Sequence, residues 1–300
     1  MSTGHAVRLQ VAALVGLGFS CGQKVSVSPL TVSAPLSRLA DSRMLVISSG
    51  TYVSGSTAEE REEAYQSYFE TYGRDSARQA KWFQFEAPAS EQHLDAYRFD
   101  KYPVTQAEFE EFVRATRRAV PAIGAEAWKQ QRFSQDYARE VRRFNWENSL
   151  PPRERAEHPV VLVTWKDASE YCKWRGSLFG KIRILPNVAE FEKAARGRRG
   201  AAYPWGRDYQ PDKLNSAERG PRDTQAVGSY PEGMSARGAM DVAGNVFQWT
   251  RTPWQRGKGR MTVKGSAWDD HGGLGRAAAA HGRRASVRHV IVGFRCSGPL

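Results

Sequence analysis

The chain has 300 residues, of which 40% are apolar and 11% aromatic, and a formal charge of +12. This composition excludes a disordered chain and is enough for one large domain, or two modest ones, with a buried core. A basic balance favours anionic partners, but there is neither Cys/His finger spacing nor a basic region running into heptads, so nucleic acid is not expected. Nine tryptophans and 27 glycines point away from a helical bundle and toward a loop-rich fold in which aromatic rings fill irregular gaps.

The chain opens with Arg8, an apolar run from Val11 to Phe19, and the small residues Ser20-Cys21-Gly22. The run is too short to span a bilayer and has the shape of a secretory signal. Residues 1–20 are therefore expected to be a signal peptide. Cys21 is a candidate for acylation as in a bacterial lipoprotein, although Gly18 stands where leucine is usual. Residues 21–43 have no period and read as a tether, with a single α+β domain over 44–300. These features predict an exported protein of the bacterial cell envelope. In such a compartment Cys172 and Cys296 form an even pair, expected to be oxidised; the alternative is two unrelated buried thiols.

Within the domain, residues 44–56 alternate and end in glycine and serine turns, which predicts a strand or hairpin. Residues 57–82 predict a charged helix broken at Gly73, and 93–105 a second strand. At 105–118 a Thr105 cap with Glu108 three residues on predicts a capped helix with Phe109, Phe112 and Val113 on one face. Residues 119–157 read as a partly helical excursion packed by Trp128, Phe133, Tyr137 and Trp146. Residues 158–180 predict a β-branched strand turning into a helix with Ala168, Tyr171, Cys172 and Leu178 inward. A helix over 185–200 is expected to be capped by Asn187, with Glu190 as its N3 partner and Gly197 at its end. Trp165, Trp174, Trp205 and Trp249 are assigned to the core.

Seven blocks occur in order: FDKYPVTQAEFEEF (99–112), HPVVLVTWKDASEYCKW (158–174), LPNVAEFEKAARG (185–197), YPWG (203–206), DVAGNVFQWT (241–250), KGSAW (264–268) and GFRC (293–296). Together they resemble the formylglycine-generating enzyme (sulfatase-modifying factor) family. The resemblance implies a C-type-lectin-like α+β fold with little regular secondary structure, and a structural disulfide at Cys172 and Cys296. Arg295 is read as a guanidinium that holds loop carbonyls.

The family's active enzymes oxidise a substrate cysteine with copper and oxygen, held by two cysteines shortly after the block matched by KGSAW. Soft Cu(I) requires thiolates there. The corresponding segment here, DDHGGLGRAAAAHGRR, contains no cysteine, and Asp270 and Gly275 stand about where the thiols would be. Formylglycine-generating oxidase chemistry is therefore not expected, and no catalytic residue is assigned on that basis. The enzymatic alternative is a non-haem iron site using Asp270, His271 and His281, with Asp269 and His271 sharing a face of an extended chain and His289 in reach. The resemblance also implies a structural Ca²⁺ at the loop matching GNVFQW, which would involve Asn245, Val246 and Gln248. Gln248 replaces the family's glutamate, and the lost charge should weaken calcium binding. The leading expectation is a non-catalytic binding or scaffolding protein, held to the membrane by a lipid anchor. Its basic residues, including Arg283, Arg284, Arg288 and the run 256–260, would meet an envelope protein or an acidic glycan.

Overall fold

The computed structural model describes residues 35–196, 198–255 and 257–300. The expected signal peptide at 1–20 and the expected lipidation site Cys21 lie outside them. Residues 35–42, assigned above to the tether, form helix α1 (Pro35–Ser42). This helix is bound to the domain through Asp41, which pairs with Lys181 at 2.8 Å and Arg183 at 2.7 Å.

The stretch 44–56 gives two strands, β1 (Leu45–Ile47) and β2 (Gly50–Ser54), which do not pair with each other. β1 pairs with β4 (Tyr97–Phe99), and β4 pairs with β9 (Ser297–Pro299), so the end of the domain closes against its beginning. β2 pairs with β3 (Ser90–Leu94). Between them lie α2 (Ala58–Tyr72) and the short α3 (Ser76–Gln79). α2 ends where expected, on Gly73 with φ 63°, a left-handed conformation that glycine adopts without penalty.

Four helices begin with a reciprocal box of side-chain and backbone hydrogen bonds: α2 at Thr57 and Glu60, α4 (Gln106–Thr116) at Thr105 and Glu108, α6 (Trp165–Ser177) at Thr164 and Asp167, and α7 (Val188–Ala195) at Asn187 and Glu190. Helix α5 (Ala125–Gln130) lies in the excursion between α4 and α6, where Trp128 and Trp146 are buried. α7 stops at Ala195, earlier than expected. Arg196 turns extended and sends its guanidinium back to the carbonyls of Val53, Gly55 and Gly200.

Val160 to Val163 are buried but form no strand. Their amides go to loops: Val160 to the carbonyl of Val104 and Leu162 to that of His289. Ala168, Tyr171 and Cys172 face the core of α6 as expected, whereas Leu178 caps the helix and is exposed. Of the four tryptophans assigned to the core, Trp249 alone is fully buried, its indole donating to the carbonyl of Val163. Trp165, Trp174 and Trp205 are half-buried at the margins.

The core is aromatic, with the Tyr171 ring in contact with Phe109, Phe112 and Phe294. Beside it Cys172 on α6 is bonded to Cys296, 124 residues on. A four-stranded sheet completes the domain in the order β7-β6-β5-β8, built from β5 (Phe247–Pro253), β6 (Arg260–Lys264), β7 (Ala280–Arg284) and β8 (Val292–Gly293). The segment 265–279 connects β6 to the edge strand β7, and the candidate site is built on it.

Candidate functional site

The antiparallel register sets Met261 opposite Arg283 and Val263 opposite His281. Arg283 and His281 are two residues apart on β7 and so project to the same side. There both lie against Phe247, His281 edge-on at 5.3 Å and the Arg283 guanidinium at 6.0 Å. Asp269 comes toward Arg283 from the connecting segment, where it accepts a hydrogen bond from Gln135 Nε2 at 3.1 Å.

Among the described residues, four buried polar atoms without a hydrogen-bond partner fall on this segment and on β7: Trp268 Nε1, Asp269 Oδ1, His281 Nε2 and Arg283 Nε. An unmade buried hydrogen bond costs about 1–3 kcal/mol, so such atoms mark a place built to meet water or a polar ligand.

Burial pushes the carboxyl of Asp270 up to about 8, and the neighbouring Asp269 carboxylate adds to the shift. Asp269 is also raised, again mainly by burial. Burial pushes His281 down to about 3 and lowers the Arg283 guanidinium from its ordinary value. At neutral pH the site therefore holds a neutral imidazole, a largely protonated Asp270 and a cationic Arg283. A raised folded-state carboxyl stabilises the fold fully below its unfolded value of 3.8, and that contribution is lost as pH rises through about 8. The Asp270 contribution should thus decline from pH 4 to 8, by at most about 1.4 kcal/mol per pH unit for one proton, while the buried, neutral His281 works in the opposite sense below 6.5. Chemical denaturation at several pH values should therefore show the wild type losing stability relative to Asp270→Asn as pH rises from 4 to 8. A difference that does not change with pH would mean that Asp270 is ionised throughout.

The expectation that Asp269 and His271 share a face does not hold, because the chain is not extended at Asp269: it turns over 267–270, the Asp270 amide donating to the Ala267 carbonyl at 3.1 Å, and a 3-10 turn follows over Gly272–Gly275. His271 Nδ1 accepts from the Gly273 amide at 3.0 Å, so the proton sits on Nε2, 3.4 Å from both Glu218 Oε1 and Thr71 Oγ1. Its ring is surrounded by Tyr68, Tyr72 and Tyr209. His271 thus fastens this turn to α2. His289 is packed between Trp128 and Phe133. Asp270, His271 and His281 do not converge, and among the described residues no three His, Cys, Asp or Glu side chains are grouped to hold a metal ion. The iron site drawn from these three residues is corrected accordingly. Glu218, which also accepts from the Gly272 amide at 3.1 Å, was missed. It lies 53 residues before His271 and carries no local signal.

The calcium ligands fare similarly. The guanidinium of Arg295 has only donors, so Gln248 must turn Oε1 toward Arg295 Nε. Its Nε2 then donates to the carbonyls of Asp241 at 2.6 Å and Val246 at 3.4 Å. An amide donor already occupies the oxygens that a cation would need. The Asn245 side chain is likewise engaged, accepting from the Gln225 amide at 3.0 Å and donating to the Gln225 carbonyl at 3.1 Å. Asn245, Val246 and Gln248 therefore do not fit a calcium ion.

A recess of 350 Å³ opens beside Arg283, lined by Arg260, Arg284, Gly282, Phe133 and Val287 among others. Gly282 is required there, since a Cβ would come within 2.3 Å of the Trp254 ring. Of the arginines nominated from sequence, Arg260, Arg283 and Arg284 line this recess. Arg288 is committed elsewhere, to Asp167 at 3.0 Å and the Leu162 carbonyl at 2.6 Å. A larger cavity of 610 Å³, beside Tyr52, Arg199 and Arg237, shares no lining residue with the recess, and none of the buried unpartnered atoms belongs to its lining.

Comparison with known proteins bears on the same geometry. The sulfatase-modifying factor enzyme 1-like domain matches residues 31–298. An inactive Cα-formylglycine-generating enzyme 2 from Mus musculus is 31% identical over 250 residues, covering 71% of this chain and 78% of that protein. The formylglycine-generating enzyme of Bos taurus is 30% identical over 202 residues, covering 56% and 52%. Among solved structures, PvdO from Pseudomonas aeruginosa superposes with a TM-score of 0.63 at 20% identity, covering 86% of this chain and 94% of that one. The C-type-lectin-like fold and the seven ordered blocks thus have one explanation: the chain belongs to the sulfatase-modifying factor (formylglycine-generating enzyme-like) family.

Proposed function

We propose that this protein is a non-catalytic, exported member of its family, anchored in the cell envelope through an acylated Cys21, and that it binds an acidic segment of a partner protein in the recess beside Arg283. The observation that carries this reading is the lining of that recess. Arg260, Arg283 and Arg284 supply charge, Phe133 and Val287 supply apolar surface, and the Arg283 Nε is buried without a partner. That combination suits an extended peptide carrying both carboxylates and aliphatic side chains. The absence of thiol chemistry supports it, because both cysteines among the described residues are consumed in one disulfide. Similarity to an inactive relative points the same way.

The test is fluorescence anisotropy with a labelled peptide of alternating glutamate and leucine, at low and high salt. Arg260→Glu with Arg284→Glu should weaken binding at least about tenfold, since each lost charge-assisted contact is worth about 1.5 kcal/mol or more. Both side chains sit at the rim, so the fold should be unaffected. Equal affinity of the wild type and the double variant would refute the assignment. Preferential binding of a sulfated oligosaccharide in the same assay would move the reading to an acidic glycan.

A further inference from the structure

The register of β6 against β7 sets Thr262 opposite Gly282 and Lys264 opposite Ala280. Alternation sends these four to the side of the sheet away from His281 and Arg283. A cavity of 370 Å³ opens on that side and shares no lining residue with the recess beside Arg283. Val188, Trp254, Ala278 and Ala280 form apolar parts of its wall. The Trp254 indole lies over Gly282, where a Cβ would meet its Cδ1, Cγ and Nε1 at 2.3, 2.4 and 2.6 Å. One flat side of the ring therefore rests on the sheet, and the side chain is only half-buried.

Lys264 and Glu192 also line the cavity, and their side chains are only 1% and 4% exposed. The Lys264 ammonium has three protons to donate, and one goes to the Ala278 carbonyl at 3.1 Å. Glu192 Oε1 accepts from the Gly55 amide at 2.7 Å. Its Oε2 accepts from none of the described residues and stands 3.9 Å from Lys264 Nζ, beyond hydrogen-bond reach. A buried ion pair held apart in this way leaves protons and lone pairs that a bound group can satisfy.

The charges around the cavity are matched. Glu86, also in the lining, is held by Arg276 through two hydrogen bonds at 2.6 and 3.0 Å. An added carboxylate would face Glu192 and Glu86, and an added amine would face Lys264, at low dielectric where like charges repel strongly. A neutral hydroxyl suits both ends of the gap, accepting from the Lys264 ammonium and donating to Glu192 Oε2. The apolar walls then take the carbon side of the same molecule, with the negative face of the indole toward its C–H groups.

We propose that this cavity is a second binding site, and that its ligand is an uncharged polyhydroxylated ring, a sugar unit. One hydroxyl sits between Lys264 and Glu192, and the C–H face of the ring lies against Trp254.

The experiment is saturation-transfer NMR on the full chain. The probes are methyl α-glucoside, methyl β-galactoside and methyl α-mannoside, with leucine and hexanoate as zwitterionic and anionic comparisons. Transfer to the ring C–H protons of at least one glycoside, and little to leucine or hexanoate, is the expected result. Trp254→Ala removes the stacking surface, and Ala280→Leu fills the cavity. Both positions are half-buried, so both variants should fold, which circular dichroism checks. Each should weaken glycoside binding at least about tenfold. Stronger transfer to leucine or hexanoate than to any glycoside overturns the hydroxyl assignment. Glycoside binding that is unchanged in either folded variant overturns the site. So does transfer to no probe at about 50 mM, where even a millimolar Kd would fill it.

Discussion

Replacing Cys172 and Cys296 together with alanine is expected to lower stability by about 4–5 kcal/mol, because the bond closes a loop spanning 124 residues and chain entropy scales with the logarithm of that span. Both sulfurs are wholly buried beside Tyr171 and Phe294, so the variant also loses packing contacts. Denaturant unfolding of the oxidised wild type against the double variant measures the difference. A loss below about 1 kcal/mol would show that the unfolded chain is already compact around these positions.

Arg295→Ala should be as severe. The guanidinium is fully buried and donates to the carbonyls of Asp100, Lys101, Met240 and Asp241 and to Gln248 Oε1. Its removal leaves these acceptors in the core without donors, at about 1–3 kcal/mol for each that water cannot reach. We expect a loss of at least about 3 kcal/mol, or failure to fold. Arg295→Lys keeps the charge but not the planar fork, and should fall between the two. Near-ultraviolet circular dichroism with urea unfolding tests the order wild type, Lys, Ala. Equal stability of the alanine variant would mean that the two loops at 100–101 and 240–241 are held by something other than this side chain. Since Gln248 is oriented by Arg295, added calcium should leave the wild-type unfolding midpoint where it was.

The features legible in the sequence were local ones or long ordered ones. Thr105 with Glu108 and Asn187 with Glu190 declare themselves because a capping box is closed within three residues. The family was legible because seven blocks keep their order, and Arg295 was read correctly as a clamp on loop carbonyls. Strand pairing was not legible: β1 and β2 are three and five residues long, adjacent in sequence, and yet partnered elsewhere. Alternation reports which side of a strand is buried, but says nothing about its neighbour.

The candidate site failed in the same way. An extended chain would set Asp269 and His271 on one side, but the turn over 267–270 separates them, and the direction of His271 is fixed by Glu218 and α2. The loop at Gln248 misled for a related reason. Its amide orientation is dictated by Arg295, 47 residues away, which no reading of GNVFQW alone could supply.

The pairing of β4 with β9 has a consequence for how the molecule is made. Residues 97–99 are synthesised almost two hundred residues before their partners at 297–299, and Cys172 well before Cys296. At ordinary elongation rates of 5–20 residues per second residues 97–99 wait roughly 10–40 s and Cys172 roughly 6–25 s. Until then Phe99 lacks Ser297 across the sheet, Tyr171 lacks the Phe294 ring, and Asp100, which ends up bound to Arg175, lacks the Cys296 amide. The domain cannot mature from its front end. It is completed in one late event, when its final strand arrives, and until then the unfinished chain is a natural client for holding factors and for proteases.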